Sequence, residues 1–84
     1  MTISFAEVAW EQYQEWVSTQ PEMIPRINEL IKQCSRDPFK GIGKPEPLKG
    51  DLKGFWSRRI NQEHRLVCRA SKGSLEIISC KYHY

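Results

Sequence analysis

The fold is decided by residues 54–82, which read GFWSRRI-NQE-HRLVCRA-SKGS-LEIISCKY. This stretch holds three apolar runs with β-branched or aromatic residues, and short polar segments connect them. The runs are Gly54–Ile60, His64–Ala70 and Leu75–Tyr82. Polar connections this short join neighbouring antiparallel strands, so the stretch predicts a three-stranded antiparallel meander.

Alternation along these strands separates an apolar face from a cationic one, because successive side chains point to opposite sides of a sheet. The even-numbered positions predict the core face, with Arg58 and Glu76 as exceptions: Trp56, Ile60, Leu66, Cys68, Ala70, Ile78, Cys80 and Tyr82. The odd-numbered positions include Arg59, Arg65, Arg69, Lys81 and His83 and are too cationic to be buried. If residues 61–63 form the loop, Arg59 lies opposite Arg65. Such a like-charged pair costs stability and favours an anion-binding face.

The N-terminal half is predicted to be mainly helical. Thr2–Phe5 is a candidate first strand, and Ala6–Thr19 has apolar residues at helical spacing. A second helix is predicted by Ile27, Leu30, Ile31 and Cys34, and it begins near Pro21 or Pro25. The segment Asp37–Lys53 is rich in proline, glycine and lysine and is predicted to be a loop. The expected fold is therefore α+β, in one domain spanning residues 1–84.

Positive charge is concentrated in the second half of the chain. Residues 1–35 carry two Lys or Arg against five Glu, whereas residues 36–84 carry eleven Lys or Arg against five acidic residues. This asymmetry indicates either a nucleic-acid-binding face or a solvated charged surface, and charge alone does not decide between them.

Several classes of protein are not expected from this sequence. No run of 18 apolar residues and no charged-then-apolar leader occurs, so we expect a cytoplasmic protein without a membrane span. Three cysteines without a Cys-x-x-Cys pair predict reduced thiols rather than a disulfide framework or a zinc site. No His-Glu-x-x-His motif, paired Asp cluster or P-loop is present, so no metal or cofactor is expected.

The basic half contains the residue types that cleave RNA without a metal: a base, a cation for the phosphate and an acid. Glu46 is a candidate base because the prolines on both sides stiffen its backbone. Arg59 and Arg65 can bind phosphate oxygens, and His83 can donate a proton. Each of these residues can equally be an ordinary surface residue, and the nearby lysines weaken a carboxylate as a base.

Five blocks resemble the YoeB toxins of the RelE superfamily in order and spacing. They are Ile27–Lys32, Asp37–Lys49, Gly54–Ile60, Glu63–Val67 and the terminal Tyr82-His83-Tyr84. The resemblance spans the whole chain and implies two N-terminal helices packed on a twisted antiparallel β-sheet. It also implies a ribosome-dependent endoribonuclease that cleaves messenger RNA in the A site.

Site residues and partners follow from the same resemblance. Glu46 would be the general base, His83 the general acid and Arg65 the residue that stabilises the transition-state phosphate. The residues that would bind RNA or shape the site are Lys44, Lys49, Arg59 and Tyr84. The products would be a 2′,3′-cyclic phosphate and a 5′-hydroxyl. The expected partners are a YefM-type antitoxin, a second toxin subunit, and the ribosome with its mRNA, including contacts with 16S and 23S rRNA.

Four positions depart from the family pattern. Cys68 replaces an expected aromatic residue, Lys81 replaces an expected arginine, and Pro21 and Pro25 fall in a helix that usually lacks proline. None of them belongs to the matched catalytic set. Two alternatives to an enzyme are a non-catalytic RNA- or ribosome-binding module, and a structural partner such as a repressor component that acts only in a complex.

Overall fold

The computed structural model describes residues Met1–Tyr82; His83 and Tyr84 lie outside the described residues. The elements in chain order are β1 (Thr2–Phe5), α1 (Glu7–Thr19), α2 (Ile24–Arg36), β2 (Glu46–Pro47), β3 (Trp56–Arg59), β4 (Arg65–Ser71) and β5 (Ser74–Ser79). Short 3₁₀ turns precede α2 and follow β2, at Pro21–Met23 and Gly50–Leu52. The order confirms the α+β class.

The five strands form one sheet in the order β1-β5-β4-β3-β2. Strands β3, β4 and β5 make the expected antiparallel meander, and β2 adds an antiparallel strand at one edge. Strand β1 pairs with β5 in parallel at the other edge, so the sheet is mixed rather than purely antiparallel. A parallel partner is possible here because the two helices supply the long connection that parallel strands require.

The two helices cover the same face of the sheet, with α1 against β5 and α2 against β4. Trp16 and Ala9 from α1, and Ile27 and Leu30 from α2, are fully buried there. Pro21 opens the 3₁₀ turn and Pro25 lies in the first turn of α2, where proline leaves no helical hydrogen bond unmade. None of the described helices has the length and apolar character that a membrane span needs.

A β-bulge corrects the expected core face of β5. Val67 pairs with Ser79 and Cys68 pairs with Ile77, so Ile78 is an extra residue without a direct partner. The extra residue inverts the alternation of side chains before it. Leu75 and Ile77 are therefore buried, although the even-numbered positions were predicted to face the core. Beyond the bulge the even phase returns, and Cys80 is buried. The expectation for Tyr82 was also wrong, because Tyr82 is 60% exposed.

Most of the other expected core positions in β3 and β4 agree with the structure, but Trp56 is only half-buried and packs against Phe39 instead of joining the core cluster. Leu66, Cys68 and Ile60 are buried, and Ala70 packs against the same cluster. Arg58, the cationic exception on this face, is completely buried as well. Its side chain lies beneath the loop that follows α2, and this placement bears directly on the site.

Candidate active site

Strand register brings the candidate residues of β2, β3 and β4 to the face of the sheet opposite the helices. Glu46 pairs with Ser57, and Ser57 pairs with Val67, which places them in one row across three strands. Arg59 pairs with Arg65 in the row two residues further along β3. Directly paired residues and alternate residues of a strand share a face, so Glu46, Arg59 and Arg65 lie on the same side.

The opposed arginines confirm the prediction made from the three-residue loop. Arg59 is exposed, whereas Arg65 is half-buried and donates a hydrogen bond from Nη1 to Ser57 Oγ at 3.2 Å. Among the described residues, no carboxylate lies within salt-bridge distance of either guanidinium. Two neighbouring cations without an acidic partner favour the binding of an anion, and a guanidinium fork matches the oxygens of a phosphate.

Glu46 lies at the edge of the sheet and is exposed to solvent. It belongs to a strand of only two residues, which is held by pairing with β3 and by the hydrogen bond from Leu48 N to Phe55 O at 2.9 Å. Lys44 and Lys49 flank this strand and are also exposed. The carboxylate therefore approaches the cationic row from a neighbouring strand, while the two lysines extend the positive surface beside it.

Arg58 orders the loop that leads to Glu46. Its guanidinium donates hydrogen bonds to three backbone carbonyls, those of Asp37, Lys40 and Ile42. The loop is also joined to β3 by the hydrogen bond from Arg59 N to Gly43 O at 2.7 Å. The segment predicted as an irregular loop thus has a fixed path, because a buried cation gathers its carbonyl groups.

Close packing at Gly43 contributes to the same path. The residue has φ +86°, in the left-handed region, and a Cβ at this position would lie 2.8 Å from Leu30 Cδ2 and 3.2 Å from the carbonyl oxygen of Arg59. Glycine tolerates this conformation because it has no Cβ. The loop therefore runs directly over α2 and β3 before it reaches Glu46.

The last described residue, Tyr82, lies beside the start of β4. Its carbonyl oxygen accepts a hydrogen bond from Arg65 N at 2.7 Å, and its N–H donates to His64 Nδ1 at 2.7 Å. Tyr82 has φ +62°, a conformation that costs a non-glycine residue about 1–3 kcal/mol and persists only where its surroundings hold it. The predicted acid, His83, and the predicted site residue Tyr84 lie outside the described residues.

The three thiols lie away from the cationic face and are all buried. Burial raises the pKa of Cys80 to about 12, and a hydrogen bond with Cys34 together with burial raises the pKa of Cys68. The hydrogen bond with Cys68 lowers the pKa of Cys34, and nearby Arg58 lowers it further. The thiols are part of the core rather than of the candidate site. Among residues 1–82 no group of three His, Cys, Asp or Glu side chains is placed to hold a metal ion.

Sequence reasoning missed three residues that shape the site: Ser57, Arg58 and His64. For Arg58 a signal existed, since a cation on an otherwise apolar face must be satisfied by buried acceptors. For Ser57 and His64 the partners are Arg65 and the Tyr82 backbone, and neither pairing leaves a local pattern in the sequence.

Known proteins resemble this chain over its whole length. A family model described as the YoeB-like toxin of bacterial type II toxin-antitoxin systems matches residues 5–84. Toxin YoeB of Synechocystis is 54% identical over 84 residues, which are 100% of this chain and 98% of that protein. A YoeB dimer from Staphylococcus aureus is 46% identical and matches with a TM-score of 0.92; the match covers 100% of this chain and 98% of that chain. A heterotetrameric YoeB-YefM toxin-antitoxin complex from the same organism has equal identity and coverage and a TM-score of 0.91.

Proposed function

The chain belongs to the YoeB-like toxins of bacterial type II toxin-antitoxin systems, and we propose that it cleaves messenger RNA in the ribosomal A site without a metal ion. The observation that carries this proposal is the placement of Glu46 and the Arg59–Arg65 pair on one face of the sheet, where Glu46 and Arg59 are exposed although Ser57 and Val67 between them are buried. A carboxylate on the same face as two cations can take a proton from a 2′-hydroxyl while the cations bind the adjacent phosphate.

The proposed reaction is an attack by the 2′-hydroxyl of the RNA on the adjacent phosphorus. Glu46 takes the 2′-hydroxyl proton, and the bond from phosphorus to the 5′-oxygen breaks as the new bond forms. Arg65 stabilises the negative charge that grows on the phosphate oxygens, and Ser57 Oγ holds one arm of its guanidinium. His83 donates the proton that the leaving 5′-oxygen takes up. The products are a 2′,3′-cyclic phosphate and a 5′-hydroxyl.

The other site residues are proposed to bind RNA. Arg59 is exposed next to Arg65 and is available for a flanking phosphate. Lys44 and Lys49 extend the positive surface on either side of Glu46. The roles of His83 and Tyr84 rest on the sequence motif, and both residues follow Tyr82, whose backbone is held next to Arg65.

The proposed partners are a YefM-type antitoxin and a second toxin subunit. The Staphylococcus aureus relatives form a YoeB-YefM heterotetramer and a YoeB dimer. An open cationic face is suited to an acidic segment that becomes ordered on binding and so blocks access of RNA. Because the substrate is mRNA on ribosomes, we expect the protein to act in the cytoplasm.

The proposal is tested with programmed ribosomes and mapping of mRNA ends after addition of the purified protein. Arg65→Ala should reduce single-turnover cleavage by about 100- to 1,000-fold, as expected for one lost donor to transition-state charge. Arg69→Ala is the matched control, because Arg69 is also on β4 but pairs with Glu76 at 2.8 Å and packs over Phe55. This control should cleave normally. Cleavage by folded Arg65→Ala at the wild-type rate would contradict the proposal. If the wild-type protein binds ribosomes but cleaves no mRNA, the result would favour a non-catalytic binding module.

A further inference from the structure

His64 is a buried histidine outside the proposed catalytic set. It is 8% exposed, and its Nδ1 accepts the hydrogen bond from Tyr82 N at 2.7 Å. A ring nitrogen can accept a hydrogen bond only when it carries no proton. The contact therefore requires a neutral imidazole with its proton on Nε2.

The backbone of Tyr82 depends on this contact. The Tyr82 side chain is 60% exposed, and its ring lies 5.6 Å from the ring of His64 and 5.6 Å from Lys81 Nζ. Its backbone is held by two hydrogen bonds, one to His64 Nδ1 and one from Arg65 N. A non-glycine residue at φ +62° needs such restraints, because its conformation is unfavourable in a free chain.

The imidazole ring itself is fixed by the helical layer. The edge of His64 meets the ring of Trp16 with the centroids 4.9 Å apart and the planes at 83°. Trp16 is fully buried, and its Nε1 donates to the carbonyl of Cys80 at 2.7 Å. Helix α1 therefore holds both the acceptor ring and the segment that leads to Tyr82.

We propose that neutral His64 is a positioning residue: it fixes the backbone at Tyr82, directly before the proposed acid, and protonation of His64 releases the Tyr82 backbone. The inference rests on the proposed function, in which the residue after Tyr82 donates the proton to the leaving group. Protonation removes the acceptor and places an N–H against the Tyr82 N–H. Of the two backbone hydrogen bonds of Tyr82 found within residues 1–82, the one from Arg65 N then remains to restrain a residue in an unfavourable conformation.

Among the described residues, the charged groups around the ring belong to its own loop, the terminal segment and the two helices. Glu63, in the same loop, has its Oε1 4.0 Å from His64 Nε2, but its side chain is 82% exposed. Lys81, in the terminal segment, lies over the Tyr82 ring at 5.6 Å and pairs with Glu15 of α1. Arg26 of α2 donates to backbone carbonyls at the end of β3. Glu63 is largely exposed to solvent, and the ammonium of Lys81 is paired with Glu15.

Two amide substitutions distinguish the hydrogen-bond acceptor at position 64 from the protonation of its ring. His64→Asn places an amide oxygen where Nδ1 stands, so it can accept from Tyr82 at every pH. His64→Gln places its amide near the position of Nε2 and leaves no acceptor at the position of Nδ1. His64→Asn should keep single-turnover cleavage within about threefold of wild type, while His64→Gln should lose about 10- to 100-fold, the loss expected for a displaced catalytic group. Ribosome binding should be equal in all three proteins.

The pH profile gives a readout that a purely structural role would not change. Cleavage by the wild-type protein should fall relative to His64→Asn as the pH is lowered from about 7.5 to about 5.5, the range in which histidines titrate. Both proteins carry the same proposed acid and act on the same ribosomes. Effects of pH on these components therefore cancel in the ratio of the wild-type cleavage rate to the His64→Asn rate. A ratio that stays constant with pH would overturn the proposal.

Hydrogen exchange at the Tyr82 amide tests the contact without any cleavage assay. The full-length wild type and His64→Asn should protect this amide at pH 7.5, His64→Gln should not, and only the wild type should lose protection near pH 5.5. The wild-type titration remains decisive if His64→Gln does not fold. If protection of the Tyr82 amide in the wild type does not change with pH, the proposed control by the His64 hydrogen bond is wrong. If this protection is lost while cleavage is unchanged, the positioning role is wrong. A wild-type protein that protects Tyr82 but cuts no mRNA overturns the proposed function, and the positioning role with it.

Discussion

Replacing Arg58 by methionine removes a buried cation while keeping most of the side-chain length. Three backbone carbonyls, those of Asp37, Lys40 and Ile42, lose their hydrogen-bond donor, in contacts that are partly buried. Hydrogen bonds to charged groups contribute about 1.5–3 kcal/mol each, and a buried acceptor left unsatisfied costs about 1–3 kcal/mol. Part of this loss is recovered, because the wild type bears the desolvation of a buried charge and the Arg58 Nε has no hydrogen-bond partner within residues 1–82.

The expected net result is a loss of about 3–5 kcal/mol in the free energy of unfolding, the range found when one partner of a buried charged network is removed. For a domain of this size that corresponds to a fall in Tm of about 4–8 °C per kcal/mol. Urea denaturation followed by tryptophan fluorescence measures the loss. Arg69→Met is the matched control, and its exposed ion pair with Glu76 should be worth about 0–1 kcal/mol. If Arg58→Met costs less than about 1 kcal/mol, the assignment of Arg58 as the organiser of the loop is refuted.

The remaining predictions concern the base, the chain end and the loop. Glu46→Gln should bind ribosomes as wild type does but lose most of its cleavage rate, about 100- to 10,000-fold in single-turnover assays. Deleting residues 83–84 should abolish growth arrest and mRNA cleavage while antitoxin co-purification persists; arrest by the truncated protein would exclude an acid at the chain end. Gly43→Ala should destabilise the protein by about 1–3 kcal/mol more than Gly73→Ala. Both glycines have positive φ, but only at Gly43 would a Cβ meet neighbouring atoms, those of Leu30, Arg58 and Arg59, so the difference in Tm reports this close packing.

The order of the meander strands β3, β4 and β5 and the opposition of Arg59 and Arg65 could be predicted because both depend on local information. A three-residue connection fixes which residues face each other, and the register observed in β3 and β4 agrees. The bulge at Ile78 could not be predicted in the same way. An isoleucine next to another isoleucine fits either phase of alternation, and only the pairing of Cys68 with Ile77 and Val67 with Ser79 decides which is buried.

The ordered loop before Glu46 could not be predicted for a different reason. Its proline, glycine and lysine residues are typical of irregular structure, and nothing within the loop supplies its hydrogen-bond donors. The donors come from Arg58, which is 16–21 residues away from its acceptors in the sequence. The parallel pairing of β1 with β5 is likewise non-local, because it joins the two ends of the described chain.

The two adjacent arginines of β3 show how one strand serves both stability and the proposed reaction. Pleating sends Arg58 into the interior and Arg59 to the open face, so identical side chains have opposite surroundings. The same division holds at the start of β4, where buried His64 holds the Tyr82 backbone and Arg65 faces the proposed phosphate site. In each pair the inward residue fixes a segment that carries, or directly precedes, a proposed catalytic group. Substituting Arg58 or His64 should therefore reduce cleavage by displacing the proposed catalytic groups. Substituting Arg59 or Arg65 should reduce it by removing positive charge from the proposed phosphate site.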